Sequence, residues 1–224
     1  MTEIGLILVS YLVGSVPWGY LVARFGAGVD IRQMGSRNIG ATNVWRTLGA
    51  KYGIAVLLLD ALKGLLPTWG LPLLIAGPQQ THVAVGCGIA AVIGHMFPCW
   101  LGFRGGKGVA TGLGVAIILG PRASLVALAV FLVTLVTARI VSLGSILAAC
   151  AFAVTQIWLL WPHPFGPANW SVSLFSLGVP VLIVIRHRGN IVRLWGGEEN
   201  RFSFRKRREP PPSPDPPAKD ESGQ

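Results

Sequence analysis

A series of long apolar runs constrains this chain more than any other feature. A helix needs about 20 mostly apolar residues to cross a hydrocarbon core of roughly 30 Å, and residues 4–25, 52–75 and 83–100 each supply such a run. From Gly108 to Ile185 the chain stays apolar, broken at Gly120-Pro121-Arg122, at Arg139 and over 162–169. Those breaks divide it into four further segments, of which 111–119 and 124–138 are short for a full crossing. Five to seven spans fit the pattern, and seven is the expectation adopted here: an all-α, polytopic membrane bundle. Only 12% of the residues are charged, against about 25% in a soluble domain, so a water-soluble globule is excluded.

The charges that remain are lopsided, with 19 Lys and Arg against nine Asp and Glu. Seven spans put successive connections on alternate sides, which turns the cations into a test of topology. Residues 24–51 hold five of them, 104–107 two, Arg139 one and 186–224 nine, and all of these fall on one side. Arg122 falls on the other side and Lys63 lies within a span. By the positive-inside rule the N-terminus is outside and the C-terminus cytoplasmic.

The chain starts Met-Thr-Glu-Ile, without the basic stretch that opens a cleaved signal peptide, so the first apolar run is expected to be retained as a helix. Cys87, Cys99 and Cys150 show no CxxC spacing and read as small packing residues. Two regions follow: a membrane domain over 1–202 and a tail over 203–224. The tail is basic and then Pro-rich, cannot bury a core, and is expected to be disordered on the cytoplasmic side. Its Arg205-Lys206-Arg207-Arg208 run suits orientation and contact with anionic membrane lipids.

Three cytoplasmic segments differ from ordinary connections. Residues 30–49 combine small residues, hydroxyls and amides with Arg32, Arg37 and Arg46, a set suited to an anion with several oxygens. Residues 102–112, Gly-Phe-Arg-Gly-Gly-Lys-Gly-Val-Ala-Thr-Gly, lead into an apolar helix, so backbone N–H groups and a helix N-terminus are available to a phosphate. The segment is not a P-loop, because Leu101 and Gly108 stand where that pattern needs Gly and Ser or Thr. In 186–200, His187, Asn190 and Arg193 fall on neighbouring turns of one helix face, though arginines after a last span also serve as topology signals. Three such segments on one membrane face point to an anion site.

Within the spans, Asp60 and Lys63 are spaced to pair on one helix face, and structural pairing is favoured over chemistry. Pro17 and Pro67 mark expected kinks. His95 ends the third run and reads on its own as a packing residue, while His82 and His163 lie on the outer side. The sequence has no His-x-x-x-x-Asp pair, no HExxH and no Gly-x-Ser-x-Gly elbow, and its cytoplasmic segments offer no Cys or multi-His metal set. What is left is phosphate handling without a dedicated base, metal or cofactor.

The strings Gly-Ser-x-Asn-Ile-Gly-Ala-Thr-Asn-Val-x-Arg at 35–46, Gly-His-x-Phe-Pro at 94–98 with Phe-Arg-Gly-Gly-Lys-Gly-Val-Ala-Thr at 103–111, and His-Arg-x-Asn-Ile-x-Arg-Leu at 187–194 closely resemble the PlsY-type membrane acyltransferases. The resemblance runs from about residue 5 to 202 and includes Asp-x-x-Lys-Gly at 60–64. It departs at Arg37, where the family usually has Gly, and at Gly189. The resemblance implies transfer of a fatty acyl group from acyl phosphate to sn-glycerol 3-phosphate, giving lysophosphatidic acid at the cytoplasmic face of the bacterial inner membrane. It implies catalytic roles for Ser36, Lys107, His187 and Asn190. It also implies substrate contacts from Asn38, Gly40, Ala41, Thr42, Asn43, Arg46, His95, Arg104, Gly105, Gly106, Gly108, Thr111, Arg188 and Arg193. Its partners would be the two substrates, membrane lipids and the upstream enzyme that makes acyl phosphate; no nucleic acid is expected. A transporter of a phosphorylated solute is the rival reading, with Asp60 and Lys63 as its support.

Overall fold

Pro17, within the first apolar run, has no backbone N–H to donate and its ring crowds the preceding turn, which kinks or breaks a helix. In the computed structural model, which describes residues 2–75, 77 and 79–202, that run forms α1 (Glu3–Ser15) and α2 (Trp18–Ala27). A short α3 (Ala41–Leu48) precedes α4 (Ala50–Gly70), which carries Pro67 internally. Then follow α5 (Gln80–Met96), α6 (Val109–Leu119), α7 (Pro121–Ala138), α8 (Val141–Leu159), α9 (Trp170–Arg186) and α10 (Arg188–Trp195). All regular structure among the described residues is helical. The tail over 203–224 lies outside the described residues.

Among the described residues, five stretches are long and apolar enough to cross a membrane: Glu3–Ala27, Ala50–Leu74, Gln80–Leu101, Pro121–Ala138 and Val141–Leu159. A sixth exists if α9 and α10, bent by 59° with His187 between them, count as one. α6, over the segment expected to be short for a full crossing, has 11 residues and spans about 16 Å at the usual rise. The cause is Gly120-Pro121, which closes α6 and starts α7. Leu125, Val133, Val136, Val154 and Trp158 turn most of their side chains outward, the reverse of a helix facing water.

Inside, small residues let backbones touch, as membrane helix packing requires. A Cβ on Gly94 of α5 would lie 2.3 Å from Tyr11 O of α1, and one on Gly114 of α6 would lie 2.0 Å from Ala61 O of α4. The central core gathers Val92, Met96, Val115, Phe152, Phe175 and Val179 from four helices. Between α1 and α2 the carbonyl of Val16 accepts from the buried Lys63 ammonium at 2.7 Å, and Lys63 pairs with Asp60 at 2.9 Å. The predicted pair thus fastens the helix break that Pro17 creates. These contacts seat α6 deep in the bundle and set the position of Lys107 just before it.

Candidate active site

The first basic segment is shaped by one buried amide. Asn43, in the first turn of α3, accepts from Ser36 N at 2.9 Å through Oδ1. Its Nδ2 donates to Asn38 O at 2.8 Å, Met34 O at 3.1 Å and Ile31 O at 3.3 Å. The side chain expected to touch substrate is therefore spent on holding the loop. Asn38 in turn accepts from Gly40 N at 2.8 Å. This leaves Ala41 and Thr42, at the uncapped start of α3, with N–H groups that have no intrahelical acceptor. Ser36 stands exposed at the loop's outer edge. Arg37 adopts φ 57°, a left-handed conformation that favours glycine, which accounts for the glycine the resemblance leads one to expect there.

The second segment is moored to the end of α5. Gly105 N donates to Met96 O at 3.2 Å and Gly106 N to His95 O at 3.1 Å, satisfying carbonyls left over at a helix C-terminus. Those two N–H groups are thereby withdrawn from any ligand, whereas the expectation was that they would cradle phosphate. The N–H groups left without a backbone acceptor in this segment are those of Lys107, Gly108 and the first turn of α6. His95 is buried, with its ring packed on Gly106, and its Nδ1 lies 3.6 Å from Asp60. Thr111 is fully buried against Gly64. Both side chains are thus shielded from the surface.

The third segment closes on the second. Arg186, the last residue of α9, donates to Gly105 O at 3.1 Å and to Gly106 O at 3.0 Å. Lys107 donates to Asn190 Oδ1, and Asn190 Nδ2 donates to Glu199 Oε1 at 2.5 Å. The same carboxylate accepts from Ser142 Oγ and from Arg193 Nε, both at 2.7 Å. Arg46 of α3 reaches across to Asn200 O at 2.9 Å. His187 is buried, with Nδ1 2.8 Å from Ile183 O; a donated Nδ1–H there leaves the lone pair on Nε2. Arg188 is exposed.

The three segments therefore meet at one end of the bundle. A groove of about 750 Å³ beside the cluster is lined by Arg32, Arg37, Arg104 and Arg186, with Asp30 paired to Arg32. Burial lowers the Lys107 ammonium to a pKa of about 8, the Glu199 charge opposing that fall and Arg193, Arg46 and Arg186 adding to it. Burial opposes ionisation of Glu199, yet hydrogen bonds from Ser142, Asn190 and Arg193 hold its carboxyl below the usual range. Among the described residues no three His, Cys, Asp or Glu side chains gather as a metal set. Glu199, Ser142 and Arg186 were missed from the sequence. Glu198-Glu199, the carboxylates amid the cations after Arg186, was the one available signal.

A sequence model of the family described as Glycerol-3-phosphate acyltransferase matches residues 4–197. This chain belongs to the glycerol-3-phosphate acyltransferase family. A family member from Anaeromyxobacter sp. (strain Fw109-5) is 47% identical over 205 residues, covering 90% of this chain and 98% of the relative. One from Myxococcus xanthus (strain DK1622) is 46% identical over 197 residues, covering 88% and 98%. The fold is similar to crystal structures of PlsY, an integral membrane glycerol 3-phosphate acyltransferase. The glycerol 3-phosphate form has a TM-score of 0.81 at 38% identity, covering 91% of this chain and 96% of that one. The lysophosphatidic acid form gives 0.79 at the same identity, covering 91% and 97%. The family resemblance read from the three motifs is thereby shown, and with it a multi-pass helical membrane protein.

Proposed function

We propose that this chain transfers a fatty acyl group from acyl phosphate to sn-glycerol 3-phosphate, releasing phosphate and forming lysophosphatidic acid, the first acylation of phospholipid synthesis. The observation that carries the reading is the meeting of three basic segments at one end of a bundle whose long helices expose many large apolar side chains. Two phosphorylated substrates use such a concentration of cations better than one would. Asp60 and Lys63, the support for a transporter, are spent on each other and on Val16 O.

Acyl phosphate carries its own leaving group, so the site has to align the reactants and stabilise charge. The glycerol 3-phosphate hydroxyl oxygen attacks the acyl carbonyl carbon, the bond from that carbon to the phosphate oxygen breaks, and phosphate departs. The hydroxyl proton passes to a phosphate oxygen, whose second pKa near 6 suits it. Burial of His187 supports that acceptor over an imidazole base. Lys107, Arg46, Arg193 and Arg104 supply charge, and Ser36, Asn190 and the Ala41 and Thr42 N–H groups supply hydrogen bonds.

The membrane domain covers 1–202, with 203–224 as a cytoplasmic tail. α6 begins beside the α5 C-terminus and ends where Gly120 meets Gln156 of α8, so it passes between opposite ends of the bundle and acts as a short seventh crossing. In this reading the N-terminus is outside and the site lies at the cytoplasmic face of the inner membrane, within reach of the enzyme that supplies acyl phosphate, and the one-sided distribution of cations supports it. Purified protein given palmitoyl phosphate and labelled glycerol 3-phosphate is expected to make lysophosphatidic acid, and Lys107→Ala to lose most of that activity. Absence of product from the wild type would overturn the reading.

A further inference from the structure

Glu199 lies two residues past the stretch that the family model matches, on a strap that crosses the site. Glu198 N donates to Arg193 O at 2.8 Å, Asn200 O accepts from Arg46, and Phe202 N donates to Arg139 O at 2.5 Å. The Phe202 ring packs 5.2 Å from that of Trp45. The strap thus ties α3, the α7–α8 connection and α10 together, and it carries one carboxylate into the cation cluster. That side chain is 5% exposed, and both its oxygens are engaged.

We propose that Glu199 is a positioning residue: its carboxylate clamps the Asn190 amide and Arg193, and through Asn190 it holds the Lys107 ammonium in place. The geometry fixes the direction of each bond. A carboxylate only accepts, so Asn190 must present Nδ2 to Glu199 and Oδ1 to Lys107. Rotating that amide would set its N–H groups against the ammonium. Ser142, from the start of α8, fills the remaining lone pair on Oε1 and ties the arrangement to the bundle.

The same carboxylate is the anion facing Lys107 among Arg46 from α3, Arg186 from α9, Arg193 from α10 and His187 at the bend. Removing its charge leaves Lys107 among cations and favours loss of its proton. The inference rests on the acyl-transfer reading for what the site does, but its first test is independent of activity.

The experiment follows acetylation of Lys107 by acetic anhydride against pH, read by mass spectrometry on the full chain in detergent. It is run for the wild type, Glu199→Gln and Glu199→Asp, beside kcat with palmitoyl phosphate and glycerol 3-phosphate. The Gln variant is expected to move the Lys107 labelling midpoint down by about one pH unit and to lower kcat at least about tenfold. The Asp variant keeps the charge and shortens the reach, so its midpoint is expected to stay while kcat falls. An unmoved midpoint in Glu199→Gln overturns the proposal. Where that variant does not fold, a shifted midpoint in Glu199→Asp overturns it. A wild type without acyl transfer but with the expected labelling shifts sinks the acyl-transfer reading alone.

Discussion

The mooring of the Gly105–Lys107 loop on α5 can be broken with one methyl group. A Cβ added to Gly106 would lie 2.1 Å from His95 Nε2 and 2.8 Å from Cε1, roughly 1.5 Å inside ordinary contact. The ring is 4% exposed and has Asp60 behind it, so the loop must move instead. The move carries Lys107, the next residue, away from Asn190. A displacement of about 1 Å at a reacting centre costs on the order of a hundredfold in rate. Gly106→Ala is therefore expected to lower kcat about a hundredfold while retaining detergent-extractable, monodisperse protein. Steady-state kinetics with palmitoyl phosphate would measure this, and the double variant His95→Ala/Gly106→Ala should regain activity over the single one, because the obstructing ring is gone. Wild-type kcat in Gly106→Ala, or no recovery in the double variant, would refute the reasoning.

Three other outcomes follow from the same geometry. Lys107, held near pKa 8 by burial, loses its charge as pH rises through about that value, so kcat/KM should decline near pH 8 rather than near 10; a Lys107→Arg profile flat to pH 9 would support the assignment, and a wild-type limb near 10 would remove it. Lys63→Met leaves the Asp60 carboxylate buried without its cation, which is expected to cost about 3–5 kcal/mol and to lower Tm sharply, with Asp60→Asn/Lys63→Met recovering part; an unchanged Tm for the single variant contradicts the pair's role. Asn43→Ala removes four hydrogen bonds from the first loop and should reduce both Tm and activity, whereas Ser36→Ala should reduce activity alone.

Much of the architecture was legible because the bilayer imposes a length rule that apolar runs must obey. The break at Pro17, the end of α6 at Gly120-Pro121 and the three basic segments all follow from residue type. What could not be read is how backbone groups are shared among elements distant in sequence. Gly105 and Gly106 look available to a phosphate until α5 claims their N–H groups. Asn43 looks like a substrate ligand until the four bonds it makes to its own loop are counted. The Lys63 partner is the Val16 carbonyl, 47 residues earlier at the break between α1 and α2, and carbonyls leave no mark in a sequence. Glu199 was hidden for a related reason: among many cations one carboxylate reads as a solvated charge, and its role depends on Ser142 from another helix.

The central claim is that the converged basic segments carry acyl transfer between two phosphorylated substrates. It is tested most directly by counting both products at once in proteoliposomes supplied with palmitoyl phosphate and labelled glycerol 3-phosphate. The account predicts one inorganic phosphate released for each labelled lysophosphatidic acid formed, with both falling together in Lys107→Ala. Labelled solute accumulating inside the vesicles without lysophosphatidic acid, or phosphate released without acylated product, would contradict it.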